Sequence, residues 1–169
     1  MHDAVTVHID ATPEAVWDLV SDVTNIGRDS PETFEAEWLD GATGPAEGVR
    51  FRGHVKRNGR GPVYWAECEI TEAVPNETFA FTVGPKGKVL NSWRYDLAPA
   101  AGGGTDVTES FRLPDTLPTK FYWALLGWAR LSMQAREGSG YNLNASDLAA
   151  GLVLSGHQVS YLRSGMSYS

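Results

Sequence analysis

A chain of 169 residues, 42% of them hydrophobic and 21% charged, is long enough to bury one substantial core without disulfide staples. Its formal net charge of -7 argues against nonspecific nucleic-acid binding, which needs a basic face to displace counterions, and its one cysteine, Cys68, permits no internal disulfide. The first residues lack a basic-then-apolar leader pattern and the strongest apolar run, residues 121–128, is far shorter than the roughly 20 residues of a membrane helix, so a cytoplasmic protein with no membrane insertion is expected.

Val5, Val7 and Ile9 alternate with Thr6, His8 and Asp10, which predicts a half-buried first strand. Thr12 is placed to cap a helix, Pro13 takes its first turn without losing a hydrogen bond, and Glu14 meets the positive end of the helix dipole. Val16, Leu19, Val20 and Val23 recur at helical spacing, so one stripe must be buried, with Trp17 widening it as a core residue. Residues 25–31 are turn-rich, and Pro31 disfavours helical backbone before it. Phe34, Ala36 and Trp38 alternate with Glu35, Glu37 and Leu39 as a second strand. Turn chemistry over 40–48 leads to a third strand at 49–57, Asn58-Gly59 marks a hairpin, and 63–74 runs back as a long fourth strand. Pro75-Asn76 punctuates it. Phe79, Phe81 and Val83 mark a fifth strand, residues 84–87 turn the chain, and 90–97 form a sixth. Three glycines at 102–104 bend the chain into a seventh strand over 105–113, with Val107, Glu109 and Phe111 on one side.

Strands joined by such short turns are antiparallel neighbours, because parallel pairing requires crossovers of a dozen or more residues. A sheet of that length curls, and its buried side needs a cover. The predicted cover is a helix opening at Pro118, in which Tyr122, Leu125, Leu126, Ala129 and Met133 follow helical spacing and Phe121, Trp123 and Trp128 broaden the apolar surface. A curved sheet closed by one long helix leaves a cavity suited to an apolar ligand.

Strand parity sends Phe51, Gly53, Val55, Ala66, Cys68, Ile70, Phe79, Phe81, Trp93 and Tyr95 toward that cavity, with Tyr122, Leu125, Leu126 and Ala129 as its roof. Gly53 and Ala66 are small where a large side chain would fill space, which favours a hollow. Trp93 and Tyr95 each offer one hydrogen bond to a ligand's polar end. Glu109 is the one carboxylate that parity sets beside core residues. A carboxylate facing an apolar cavity must find a partner or have its pKa raised, and in the second case it suits general acid or base work; the bland reading is a charge paired with an arginine or lying at the sheet edge. Cys68, between Glu67 and Glu69, is expected to be inert, and His54 is expected to face solvent. His2, His8, His54 and His157 include no pair at i+3 or i+4, and no Walker loop, nucleophile elbow or zinc-binding helix occurs, so neither a metal nor a cofactor is expected.

Residues 11–22 (ATPEAVWDLVSD), 36–41 (AEWLDG), 48–53 (GVRFRG), 93–97 (WRYDL) and 104–110 (GTDVTES), in this order of elements, resemble the SRPBCC superfamily, the START, Bet v 1 and polyketide cyclase group, over about residues 3–136. The resemblance implies an α+β helix-grip fold: a curved antiparallel sheet of about seven strands wrapped on a long C-terminal helix, with two short helices after the first strand. It also implies a central cavity for hydrophobic molecules, lipids or polyketides, in a family of which only some branches catalyse cyclisation, aromatisation or dehydration. Two features depart from the family pattern. Asp29 stands before Ser30-Pro31 where similar proteins carry an aromatic residue, and the helical pattern stops at residues 137–140 (EGSG).

The expected organisation is therefore a ligand-binding domain over 1–137 and an atypical tail over 138–169. Within the tail, Asn144 caps a helix-like stretch with Leu148 and Leu152 on one face, Gly156 ends it, and residues 157–162 alternate like a short strand. The tail resembles the opening glycine-rich loop, helix and second strand of a GT-B glycosyltransferase, without the strand before the loop or a later nucleotide-binding domain. Three functions compete: a noncatalytic binder or carrier of a hydrophobic small molecule, a polyketide cyclase, aromatase or dehydratase using the same cavity, and a glycosyltransferase-related fragment. The thin convergence of polar residues, Glu109 with Tyr95, favours the binder over the enzyme.

Overall fold

The computed structural model describes residues 2–26, 33–56, 62–114 and 159–162. The chain runs through β1 (His2–Ile9), α1 (Pro13–Ser21), a 3-10 turn (Val23–Asn25), β2 (Thr33–Trp38), β3 (Arg50–Val55), β4 (Tyr64–Val74), β5 (Thr78–Val83), β6 (Asn91–Pro99), β7 (Thr105–Arg112) and β8 (Val159–Leu162). These strands form one curved sheet in the order β2-β3-β4-β5-β6-β7-β1-β8, antiparallel throughout. The meander β2 to β7 is the one that the short turns predict. β1 then closes against β7, with Val7 opposite Val107 and Ile9 opposite Thr105.

Local chemistry sets the boundaries. Thr12 caps α1 by accepting the Ala15 N–H at 3.4 Å, with Pro13 in the first turn. Asp40 and Gly41, at φ 56° and 78°, make the type I′ turn in which the Ala42 N–H donates to the Leu39 carbonyl at 3.0 Å. Asn76, at φ 65° after Pro75, makes a type II turn closed from Glu77 N–H to the Val74 carbonyl at 3.1 Å.

Register divides the sheet into two chemistries. One row of facing residues, Trp38, Phe51, Cys68 and Val83, and a second, Ile70, Phe81, Trp93 and Phe111, lie on the side against which α1 packs, hereafter the inner face. Trp17 of α1, 8% exposed, meets Phe79 edge-on with ring centroids 6.2 Å apart, so it is the core residue the helical stripe predicts. Val7, Ile9, Val16, Ile70 and Val107 complete the buried centre.

Three expectations change. The second short helix is, among the described residues, a single 3-10 turn. The Asp22 carboxylate accepts from the Thr24 N–H at 3.0 Å and from the Thr24 hydroxyl at 2.6 Å, which ends the α-helix before Val23 and leaves that residue buried in the turn. Phe34 does not share a side with Ala36 and Trp38, because the register shifts between Thr33 and Glu35; Phe34 is 47% exposed, beside His54. A second shift between Ile70 and Glu72 keeps Ala73 on the inner face and turns Glu72 outward. The sheet has eight strands rather than about seven, because Val159–Leu162 of the tail pairs with β1, Thr6 opposite Leu162 and Ile9 opposite Val159. The predicted long helix from Pro118, its residues Tyr122, Leu125, Leu126 and Ala129, the Asn58-Gly59 hairpin and Asp29 lie outside the described residues.

Candidate functional site in the inner face

The inner face is apolar almost throughout, and its packing is dominated by aromatic rings. Trp38, Phe51, Phe81, Phe79 and Trp17 form a continuous chain, with successive centroids 6.0, 5.2, 5.7 and 6.2 Å apart and no parallel stacks. Edge-on and tilted contacts suit the ring quadrupoles, each pair contributing about 0.5–1.5 kcal/mol beyond area burial. Of the predicted pocket residues, Phe51, Phe79, Phe81 and Cys68 therefore sit in this packed centre. Val55, Ala66, Trp93 and Tyr95 share the face and are only partly buried, Trp93 lying against Phe111 at 4.5 Å.

Gly53 is buried on this face, but a Cβ there would come within 2.9 Å of Thr33 Cγ2. Its small size is thus accounted for by the close approach of β2 at the register shift.

Glu109 is the polar exception at the centre. It is 3% exposed, stands opposite Tyr95 on β6 and Val5 on β1, and its Oε1 accepts the Tyr95 hydroxyl at 3.1 Å. The Tyr95 phenol is a hydrogen-bond partner of this carboxylate, and β7 lies inside the sheet rather than at its edge. A carboxyl taken out of water is costly unless hydrogen-bonded, and the tyrosine hydroxyl offsets part of that cost.

Cys68 behaves as an apolar residue. Burial first, and then the charge of Glu67, push its thiol up from 9.0 to about 12. The outer face of the sheet carries ion pairs. His54 lies there, its Nδ1 2.6 Å from Glu35 Oε1 and its ring stacked on Trp65 at 4.3 Å. Arg94 donates to both Asp96 oxygens at 2.9 Å and also reaches Glu72; these hydrogen bonds, that to Asp96 foremost, raise its pKa.

An open cleft of about 600 Å³ lies between α1, the 3-10 turn and the β2–β3 connection, lined among others by Trp17, Asp18, Ser21, Trp38, Thr43 and Pro45. Sequence parity gave no sign of it, because the β2–β3 connection that forms one wall is all turn residues. Its mixed lining and open form make it a weaker site for an apolar molecule than the inner face. Among the described residues, no group of three His, Cys, Asp or Glu is placed to hold a metal, and no helix is long and apolar enough to cross a membrane.

Residues 3–136 match the family model described as polyketide cyclase / dehydrase and lipid transport, and the chain belongs to that family. No curated protein matches the sequence. Among solved structures, a protein of unknown function from Staphylococcus aureus is similar at 15% identity and TM-score 0.59, covering 92% of this chain and 96% of that one. An AHSA1-like protein from Aeromonas hydrophila is similar at 18% identity and TM-score 0.58, covering 92% and 94%. A polyketide-cyclase-like protein from Corynebacterium glutamicum is similar at 26% identity and TM-score 0.52, covering 90% and 87%. These likenesses agree with the helix-grip reading of the curved sheet and its helix.

Proposed function

We propose that the protein binds or carries a hydrophobic small molecule, a lipid or polyketide-like compound, against the inner face of the sheet. The observation that carries the reading is an apolar, aromatic-rich face with buried Glu109 accepting from the partly buried Tyr95 hydroxyl in its centre. Apolar surface supplies affinity, and a few placed polar groups supply orientation. Family membership supports the same ligand class. The pairing of β8 with β1 favours the tail as part of this domain rather than a glycosyltransferase fragment. Native mass spectrometry of protein purified from its source tests the proposal: a co-purifying apolar mass is expected, and bare protein that also fails to take up naphthalene-type probes would refute it.

The cyclase or dehydratase reading keeps one specific observation in its favour. A buried carboxyl beside a phenolic hydroxyl at 3.1 Å can pass a proton to or from a carbon next to a ligand carbonyl, with Tyr95 holding the carboxyl in place. Glu109→Gln separates the two readings. A binder loses affinity without any turnover to lose, whereas an enzyme loses turnover of a polyketide mimic by about 10²–10⁴-fold. Unchanged affinity and unchanged turnover would remove Glu109 from the site.

A further inference from the structure

We propose that the side-chain carbonyl of Asn91 is a hydrogen-bond station for the ligand, so that the molecule held on the inner face is an apolar compound bearing a hydroxyl or N–H donor. This rests on the inner face being the binding surface, and it specifies the chemistry the ligand must carry.

Asn91 is the first residue of β6. Register runs from Asn91 to Val83, Cys68, Phe51 and Trp38 in turn, which sets Asn91 on the inner side, two residues before Trp93. Its Oδ1 is buried and has no hydrogen-bond partner. The backbone gives it little freedom to escape. Leu90 N–H donates to the Val83 carbonyl at 2.8 Å, Lys88 N–H donates to the Pro85 carbonyl at 2.9 Å, and Gly84, at φ 147°, lets the Lys88 carbonyl pass where a Cβ would stand 2.0 Å away.

Asparagine is disfavoured in strands, and a buried amide oxygen with no donor has surrendered its hydration for nothing. A leucine of similar shape would serve the fold better at this position. The asparagine is explained if a donor arrives from outside the chain. Four residues further along β6, about 13 Å away at strand rise, stands Tyr95 with its Glu109 partner. Trp93 and Phe111, in contact at 4.5 Å, form the apolar floor between these two stations. An elongated molecule, polar at its Asn91 end and flat and greasy beyond it, fits that surface; a plain hydrocarbon leaves the Asn91 acceptor unpaired.

The test uses Asn91→Leu with two matched fluorescent probes, 2-naphthol, which carries a donor, and 2-methoxynaphthalene, which lacks it. The unsubstituted protein is expected to bind the naphthol about tenfold more tightly, and Asn91→Leu to bind the two alike. Without ligand, Asn91→Leu is expected to unfold about 2–4 °C higher, because the orphaned acceptor is gone. An asparagine serving the fold would give the opposite shift. Equal binding of both probes by the unsubstituted protein, a preference that survives in Asn91→Leu, or a lower unfolding temperature each overturns the station while leaving the inner face as a binding surface. Failure of the unsubstituted protein to bind either probe overturns both.

Discussion

On the inner side of β4 and β5, Cys68, Ile70, Phe79 and Phe81 are buried, while on the outer side of the same two strands Glu69 and Thr82 stand among ion-paired Glu67 and Glu72. The backbone hydrogen bonds are common to both faces. What differs is the environment of the alternate side chains, and so the energy attached to each. Inner-face residues have lost water and gained close-packed neighbours, at about 25 cal/mol per Å² of apolar surface buried. Outer-face pairs exchange water for a charged partner that water still screens, and such exposed pairs are worth about 0.2–1 kcal/mol. Stability and ligand chemistry therefore concentrate on the inner face, and the outer face, apart from buried Thr78 and Ala80 of β5, is more tolerant of change.

The sharpest way to break this comparison is Phe79→Ala. Phe79 is 1% exposed and touches the rings of Trp17 and Phe81, so its truncation is expected to cost about 3–5 kcal/mol by urea unfolding. A loss under about 1 kcal/mol would mean that the aromatic chain is not the core. Cys68 probes the same burial chemically. A thiol pushed from 9.0 to about 12 holds about a thousandfold less thiolate at pH 8, so alkylation of the folded protein should be slower than that of the urea-unfolded chain by about that factor. Because the folded value is the raised one, the stabilisation from keeping this thiol neutral is complete below pH 9 and lost as pH rises from 9 toward 12. The urea midpoint relative to Cys68→Ala should fall over that window, and a flat difference would count against the buried thiol. Gly84→Ala comes next, at about 1–3 kcal/mol, because it adds a Cβ at φ 147° within 2.0 Å of the Lys88 carbonyl.

These energies also explain what was legible beforehand. Alternation was strong wherever one face had to lose water: Val5, Val7 and Ile9, Phe79 and Phe81, and Val107 with Glu109 all fall on the side that parity assigns them. Turns were legible because Asp40-Gly41 and Pro75-Asn76 carry the backbone angles in their residue types. Phe34 was misread because a register shift has no signature in hydrophobic periodicity, and everything before the shift changes side. The first helix is shorter than its stripe suggests, because Val23 continues the helical spacing while Asp22 cuts the hydrogen bonds beneath it. Gly53 shows a limit of size arguments, since a missing side chain signals either open space or a close neighbour, and here it is Thr33. Asn91 escaped notice although it shares the parity of Trp93 and Tyr95, because an asparagine at the head of a strand is ordinarily solvated, and its buried acceptor is visible only in the structure.

The smallest expected effect lies on the outer face and sharpens the comparison from that side. Arg52 donates from Nε to Glu37 Oε1 at 2.6 Å, while its guanidinium carbon sits 4.3 Å over the ring of Trp65, itself 38% exposed. Double-mutant cycles on Arg52 with Glu37 and on Arg52 with Trp65 are expected to give couplings of about 0.2–1 and about 0.5–1 kcal/mol. The first should shrink in 1 M salt, where charges separated by more than about 3 Å are screened, and the second should persist better because part of it is ring contact. A Glu37 coupling above about 2 kcal/mol, insensitive to salt, would mean that this face is desolvated in solution, as it would be under a partner. With the small values, probe binding to the inner face should be unchanged in Arg52→Ala, because Arg52 and the Phe51 ring point to opposite sides of β3.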